Sequence, residues 1–362
     1  MRVLLTTEFF LSGQSTHVLD LAIQLQKLGH QTEIIFTGIH TTMFKSYYGP
    51  MLRKAGIVHH STNQRSEINQ TIRRFKPDVI HCHSSTIFSF TKNIAKAHRI
   101  PFVVTCHGLG FSHPKYQQAL EHAQRIIAVG PNAAAELMPV YKDKIVIIPN
   151  GVDVDRFKPA KKERKLNVYY VARLDWSKVY ALKKLAAAVE QIPNLNLIVV
   201  ANWQPPLSNA EYIPWQTNIE SLLSRANIVA GCGRTAREAM AAGCAVLLLN
   251  TRYDGIVDQQ AVRDPNLSFS GSLGRCALSQ LAHDLGMLAK SRKKLRRLQR
   301  FSRAYALEHL SSRTMAEKTA AVYRETVNKF QTQQLRVPFN PHLHGWHISR
   351  NNYHINQKRP RF

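Results

Sequence analysis

"MRVLLTTEFFLSGQSTHVLDLAIQLQKLGHQTEIIFTG", residues 1–38, decides the architecture of this chain. A short apolar run is followed by a loop containing Gly13, then by Val18, Leu21, Ala22, Leu25 and Leu28 at helical spacing, then by a second apolar run. Ser15 or Thr16 can cap the start of that helix and Gly29 can end it. The stretch therefore reads as strand, helix, strand.

The alternation continues. Short apolar strands are expected at 78–83, 101–107, 125–130 and 144–149, with helical stretches between them. After the charged segment "KPAKKERK" at 158–165 it restarts, with strands in "LNVYYVARL", "LNLIVVA", "ANIVAG" and "CAVLLLN". Such alternation implies parallel sheets covered by helices on both faces. The expected fold class is α/β, with two doubly wound, Rossmann-like domains in tandem over 1–158 and 166–312 and a cleft between them. A further helix is expected at 313–330, and 331–362 reads as a basic tail without periodicity, disordered or draped on the surface.

Composition bounds the partners. The 362 residues carry a net charge of +26, which favours a membrane leaflet, nucleic acid or a phosphorylated small molecule. Residues 290–303 contribute eight cations and no acid (Lys290, Arg292, Lys293, Lys294, Arg296, Arg297, Arg300, Arg303), fitting either an anionic membrane surface or a solvated helix. Neither zinc-finger spacing nor an aromatic-interleaved basic run is found, so no nucleic-acid partner is expected. The five cysteines are scattered without C-x-x-C spacing and point to a reducing compartment. The opening apolar run of three residues is too short for a signal peptide, and no apolar run reaches membrane-spanning length. A cytoplasmic protein is expected, peripheral on the inner face of the plasma membrane where it meets lipid.

Ligands of open parallel sheets bind at the carboxyl ends of the strands. Four stretches fall there. "SGQSTH" at 12–17 ends at a helix start, where backbone N–H groups suit a phosphate and Gly13 permits close approach; an ordinary strand-helix turn is the alternative. His81 and His83 alternate along one strand, so a shared metal is not expected, and His107 stands out because a glycine follows it at a strand end. Arg173 and Lys178, five residues apart around a strand-to-helix loop, can converge on a diphosphate or remain a surface pair. Glu238 near a helix start either complements the helix dipole or accepts hydrogen bonds from a ribose diol, with Arg234 beside it to steady an anion.

Four of these segments together resemble a known family. "IPNGVDVDRFKP" (148–159), "VARLDWSK" (171–178), "REAMAAGCAVLL" (237–248) and the first glycine loop are similar to the signatures of retaining GT-B glycosyltransferases, the group with sucrose and mannosyl transferases. The resemblance covers about residues 1–260, in the expected order. It implies a nucleotide-diphosphate sugar donor, a lipid-linked or polysaccharide acceptor, retention at the anomeric carbon, and neither a metal nor another cofactor. By that resemblance Arg173 and Lys178 bind the diphosphate and stabilise the leaving group, Glu238 holds the ribose, His107 lies near the donor sugar, and Gly13, Arg234 and Gly255 belong to the donor site. The sequence departs from the family pattern at Ala230, where a glutamate is usual, and at Ala172, Val179 and Ala201, where glycines are usual. These departures keep a second class open: a non-catalytic relative acting as a nucleotide-binding or membrane-associated scaffold.

Overall fold

The structure, a computed structural model, describes residues 1–264 and 267–336. The first sheet comprises β1 (Arg2–Phe9), β2 (Gln31–Ile39), β3 (Val58–Ser61), β4 (Val79–Cys82), β5 (Phe102–Cys106), β6 (Arg125–Ala128) and β7 (Ile145–Ile147). All pair in parallel, in the order β3-β2-β1-β4-β5-β6-β7. The second comprises β8 (Leu166–Ala172), β9 (Leu195–Ala201), β10 (Ala210–Pro214), β11 (Ile228–Gly231), β12 (Ala245–Leu249) and β13 (Tyr253–Ile256), in the order β10-β9-β8-β11-β12-β13. Only β13 runs antiparallel in that sheet, as a hairpin return from β12.

Both sheets are sandwiched between helices, and the strand sequences show why. On β1 the side chains of Val3 and Leu5 enter one apolar cluster while Leu4 enters the other. β8 splits likewise, Val168 and Tyr170 on one face and Tyr169 and Val171 on the other. A strand buried on both faces reads as a continuous apolar run, which is how these segments appear in the sequence.

Strand order reverses direction at two places, between β1 and β4 in the first sheet and between β8 and β11 in the second. A crevice opens at such switch points, beyond the carboxyl ends of the strands. Three helices start there. The first, α1 (Gly13–Lys27), is capped by Ser12, whose hydroxyl accepts from the N–H of Ser15 at 3.3 Å, so the cap lies earlier than Ser15 or Thr16. Gly29, at φ +82°, ends it as expected. In the second sheet the helix at Trp176–Glu190 follows β8 and is capped by Asp175, and the helix at Gly233–Ala241 follows β11.

The chain passes between the lobes twice, at 148–165 and at 310–312, and the two passages pair: the N–H of Val152 donates to the carbonyl of Leu310 at 2.7 Å, and that of Ser312 to the carbonyl of Val152 at 2.8 Å. The last helix, Ser312–Arg336, then packs on α1, with Met315, Ala316, Ala320 and Tyr323 in the core of the first lobe. It thus extends past the expected end at 330, and residues 331–336 are helical where a tail was expected. The rest of that tail, with His342, His344, His347 and His354, lies outside the described residues.

At the paired passages a Cβ on Gly151 would sit 2.5 Å from the Cα of Ser312. Backbone cannot yield as a flexible side chain can. Gly151→Ala is therefore expected to destabilise the protein by about 3 kcal/mol, at the upper end of overpacking costs, measured as a lowered urea midpoint. An unchanged midpoint would mean that the two passages are not packed this closely.

Candidate functional site

Between the lobes lies a cleft of about 350 Å³, lined from the first lobe by Ser12, Gly13, Thr16 and Tyr48 and from the second by Arg173, Lys178, Thr235 and others. Of the residues expected from the sequence, Gly13, Arg173, Lys178, Arg234 and Glu238 all line it. Gly255 does not. It sits at φ +93° in the antiparallel return strand, with a Cβ position 3.1 Å from the sulfur of Cys276, so its glycine serves the backbone of β13. His107 is also absent from the lining; it belongs to a histidine cluster described below.

The cationic and N–H groups of the cleft come from the carboxyl ends of β8 and β11. Arg173 is exposed, and no hydrogen bond or ion pair of its side chain occurs among the described residues. Lys178 is held in place: its Nζ donates to the backbone oxygen of Arg173 at 2.7 Å and lies 2.9 Å from the Asp175 carboxylate. The Ser177 hydroxyl and Lys178 together hold the Asp175 carboxyl down at about 2. On the same lobe the helix starting at Gly233 has no side-chain cap, and the N–H groups of Arg234 and Thr235 find no acceptor among the described residues. A Cβ on Gly13 or on Gly233 would meet nothing within 4 Å, so both glycines border open space. Uncapped N–H groups, a helix dipole and two cations facing such space are the groups that suit an anion.

Arg234 is oriented by two acids. Its Nε donates to Glu238 Oε1 at 2.6 Å and its Nη2 to Asp20 Oδ2 at 2.6 Å. Glu238 is its neighbour one turn along the same helix, whereas Asp20 is on α1 in the other lobe. The guanidinium therefore bridges the lobes. Burial raises the pKa of both carboxyls, and the charge on Arg234 opposes that rise. For Arg234 burial disfavours the charge, but the two acids outweigh it and hold the pKa above its ordinary value. A second bridge lies alongside: Arg156 Nη2 donates to Glu220 Oε2 at 2.8 Å and to the Tyr47 hydroxyl at 3.1 Å. Glu238 thus offers the cleft its second oxygen, its first being held by Arg234.

Sequence reasoning passed over Asp20, Arg156 and Tyr47. A signal existed for Asp20, a lone acid inside the apolar stripe "HVLDLA", since a charge on the buried face of a helix needs a partner. Ala230, the departure from the family pattern, is fully buried in β11 and shares a core cluster with Tyr170 and Leu247. Its side chain packs the sheet rather than the cleft.

Four histidines stack beneath the first-lobe side of the site. His81 is fully partnered, Nδ1 to the Tyr323 hydroxyl at 2.5 Å and Nε2 to Thr105 Oγ1 at 2.7 Å, and is a packing residue. The expectation that His81 and His83 face apart is corrected: their ring centroids are 4.0 Å apart. Alternation holds only within a strand, and His83 lies past the last residue of β4. His83 Nδ1 and His107 Nε2 are 3.3 Å apart, and the His17 ring completes the group at centroid distances of 5.4 Å and 4.8 Å.

Burial, aided by the charge of Arg234, lowers the pKa of His17 from 6.5 to about 4, and burial lowers those of His83 and His107 well below 6.5. The folded state thus refuses a proton that the unfolded chain accepts, so this contribution is intact above the unfolded value and is lost as pH falls from about 6.5 towards 4. For His17 alone the expected loss between pH 7.5 and 5 is about 2 kcal/mol. Urea midpoints at the two pH values test this; an equal midpoint at both would show the ring to be solvated.

Comparison with known proteins bears on this geometry. Residues 11–156 match the profile of Glycosyltransferase Family 4. No curated protein matches the sequence. Among solved structures, a glycosyltransferase from Rickettsia africae ESF-5 is similar at TM-score 0.70 and 19% identity over 90% of this chain and 98% of that one. HepE of Anabaena in complex with UDP-glucose is similar at TM-score 0.67 and 16% identity, over 90% of this chain and 100% of that one. WaaG, a glycosyltransferase involved in lipopolysaccharide biosynthesis, is similar at TM-score 0.58 and 12% identity, over 89% and 99%. At such identities the structural likeness is one of fold. The chain is a glycosyltransferase of the two-lobed GT-B fold, and its first lobe is similar to Glycosyltransferase Family 4.

Proposed function

We propose that this glycosyltransferase moves a sugar from a nucleoside-diphosphate sugar to a lipid-linked or polysaccharide precursor of the cell envelope, with retention at the anomeric carbon. The observation that carries the reading is the shared cleft of Arg173, Lys178 and the uncapped helix start at Gly233. As the bond to the anomeric carbon breaks, negative charge builds on the leaving diphosphate, and preoriented cations and N–H groups stabilise it there. These groups supply the neutralisation that a metal ion would otherwise bring. The free oxygen of Glu238 accepts from the ribose. HepE, with UDP-glucose in its complex, supports a nucleotide-sugar donor, and WaaG supports an envelope acceptor.

The proposed place of work is the cytoplasmic face of a membrane. No described helix is long and apolar enough to cross one. A second concavity, of about 760 Å³, runs along the helix at Arg292–His309 and is lined by Lys293, Arg296 and Arg300, with no acid among its lining residues. Leu307, 47% exposed, borders it. Cations beside an exposed apolar side chain suit an anionic leaflet. Arg303 is the exception, because its guanidinium turns inward to the carbonyls of Val154, Phe157 and Ala241.

A thermal-shift screen across nucleoside diphosphates and nucleotide sugars tests the reading. One base and one sugar are expected to raise the melting temperature, since a ligand at 100 times its Kd stabilises by about 2.7 kcal/mol. Absence of any shift across the panel would refute nucleotide binding. Binding without release of nucleoside diphosphate would favour the scaffold.

A further inference from the structure

We propose that the basic concavity along the helix at Arg292–His309 is a binding site for a multiply charged phosphate, carried by a free small molecule or by a lipid headgroup. This goes beyond the leaflet contact proposed above, which asks only for charge on a surface. It does not rest on the donor chemistry, because the lining of the concavity shares no residue with the cleft. Three separate parts of the second lobe wall it: the linker at Pro159, Ala160 and Lys162, Gly243 just past the helix at Gly233–Ala241, and one stripe of the helix at Arg292–His309. Along that stripe Arg292, Arg296 and Arg300 follow one another at single-turn spacing, about 5–6 Å between Cβ atoms.

The sequence places these cations where folding alone disfavours them. Between Asp284 and Glu308 the chain contains no acid, so none of the three arginines has a counter-charge one turn away on its own helix. Like charges at that spacing repel. Arg292, Lys293 and Lys294 also occupy the first turn, where the helix dipole favours acids over cations. No hydrogen bond or ion pair of the Lys293, Arg296 or Arg300 side chains occurs among the described residues. An anion lying across the stripe relieves both costs at once.

Two further lining cations are set deeper. Lys162 Nζ donates to the Ala242 carbonyl at 2.8 Å and lies 3.6 Å from the sulfur of Cys244, while Arg303 uses Nη1 on the three carbonyls named above. Neither has an acid bonded to it among the described residues. Burial lowers the pKa of both, the mark of charge held away from water without a counter-charge. A flat leaflet meets the rim at Arg296 and Arg300; the deeper pair is reached by a group that enters the concavity. Phosphate suits this set, since guanidinium forks match its oxygens in pairs and an ammonium adds a point charge. Between the cations, Pro159, Ala160, Gly243 and Ala304 contribute small surfaces that bring no acidic oxygen.

The test uses the full chain carrying Arg173→Ala and Lys178→Ala, so that the cleft does not compete for the probe. Inorganic tripolyphosphate is expected to raise its melting temperature saturably. Adding Arg296→Gln with Arg300→Gln should weaken that binding about 10-fold or more. Lys183→Gln with Lys184→Gln, an equal loss of charge from exposed positions outside the concavity, should leave it unchanged. Without the probe the arginine pair should melt no lower than its parent, because repulsion is relieved, which separates lost binding from lost folding. Sedimentation with vesicles of phosphatidic acid in phosphatidylcholine identifies the source. Vesicle binding that falls with the arginine pair and not with the lysine pair assigns a lipid headgroup, and a tripolyphosphate shift without vesicle binding assigns a free phosphate. Response to neither probe, an undiminished response in the arginine pair, or equal losses in the two pairs would each overturn the site. None of these results bears on nucleotide binding, which is read in the unaltered chain.

Discussion

Arg234→Leu is expected to destabilise the protein by about 3–5 kcal/mol, the cost of leaving buried charge without its partner. The side chains of Arg234, Asp20 and Glu238 are 18%, 10% and 11% exposed, so solvent cannot replace the lost guanidinium. Both carboxyls already have raised pKa values through burial, and removal of Arg234 lets them rise further. A carboxyl whose folded value lies above its unfolded one costs stability at high pH, and this cost fades as pH falls and the proton binds. The defect should therefore be larger at pH 7.5 than at pH 5 when urea midpoints of variant and parent are compared. Asp20→Asn with Glu238→Gln in the same chain should recover much of it, since neutral amides need no counter-charge. A loss below about 1 kcal/mol, or one equal at both pH values, would show that the lobes are not joined through this arginine.

The second large effect is on binding. Arg173→Ala and Lys178→Ala should each weaken nucleoside-diphosphate binding by roughly 10- to 100-fold, as expected for loss of a hydrogen bond to a charged group, at about 1.5–3 kcal/mol. Stability should hardly move. Arg173 is exposed, and the ion pair of Lys178 is with a half-exposed Asp175, an arrangement worth about 0–1 kcal/mol. Calorimetric titration with the diphosphate that the screen selects separates the two quantities. Arg296→Ala, in the basic concavity, whose lining shares no residue with the cleft, is the control and should bind like the parent. Equal losses in all three would mean that the anion site has been misplaced.

Which parts of this were legible in the sequence follows from the range of the interactions. Period and spacing are local, so β1, α1 and the restart after residue 165 could be read directly, and the carboxyl ends of β8 and β11 located Arg173, Lys178, Arg234 and Glu238 beside one cleft. Partnerships across the lobes are not local. Asp20 finds Arg234 at a separation of 214 residues, and His81 finds Tyr323 at 242. The helix at Ser312–Arg336 likewise gives no local sign that its apolar face belongs on α1 rather than on the second lobe that precedes it. Gly255 was assigned to the donor site by resemblance alone, and it lies on the return strand β13, outside the lining of the cleft. His83 was misread because strict alternation was extended one residue beyond the strand.

The central claim is that Arg173, Lys178 and the helix start at Gly233 grip the diphosphate of a sugar nucleotide and draw off its charge as the glycosidic bond breaks. Release of free nucleoside diphosphate from a panel of sugar nucleotides by the purified protein tests it most directly. The account predicts release from at least one donor by the parent and a collapse of that rate in Arg173→Ala and Lys178→Ala, with Arg296→Ala unaffected. Undiminished release by the Arg173 and Lys178 variants, or no release from any donor by the parent, would contradict it.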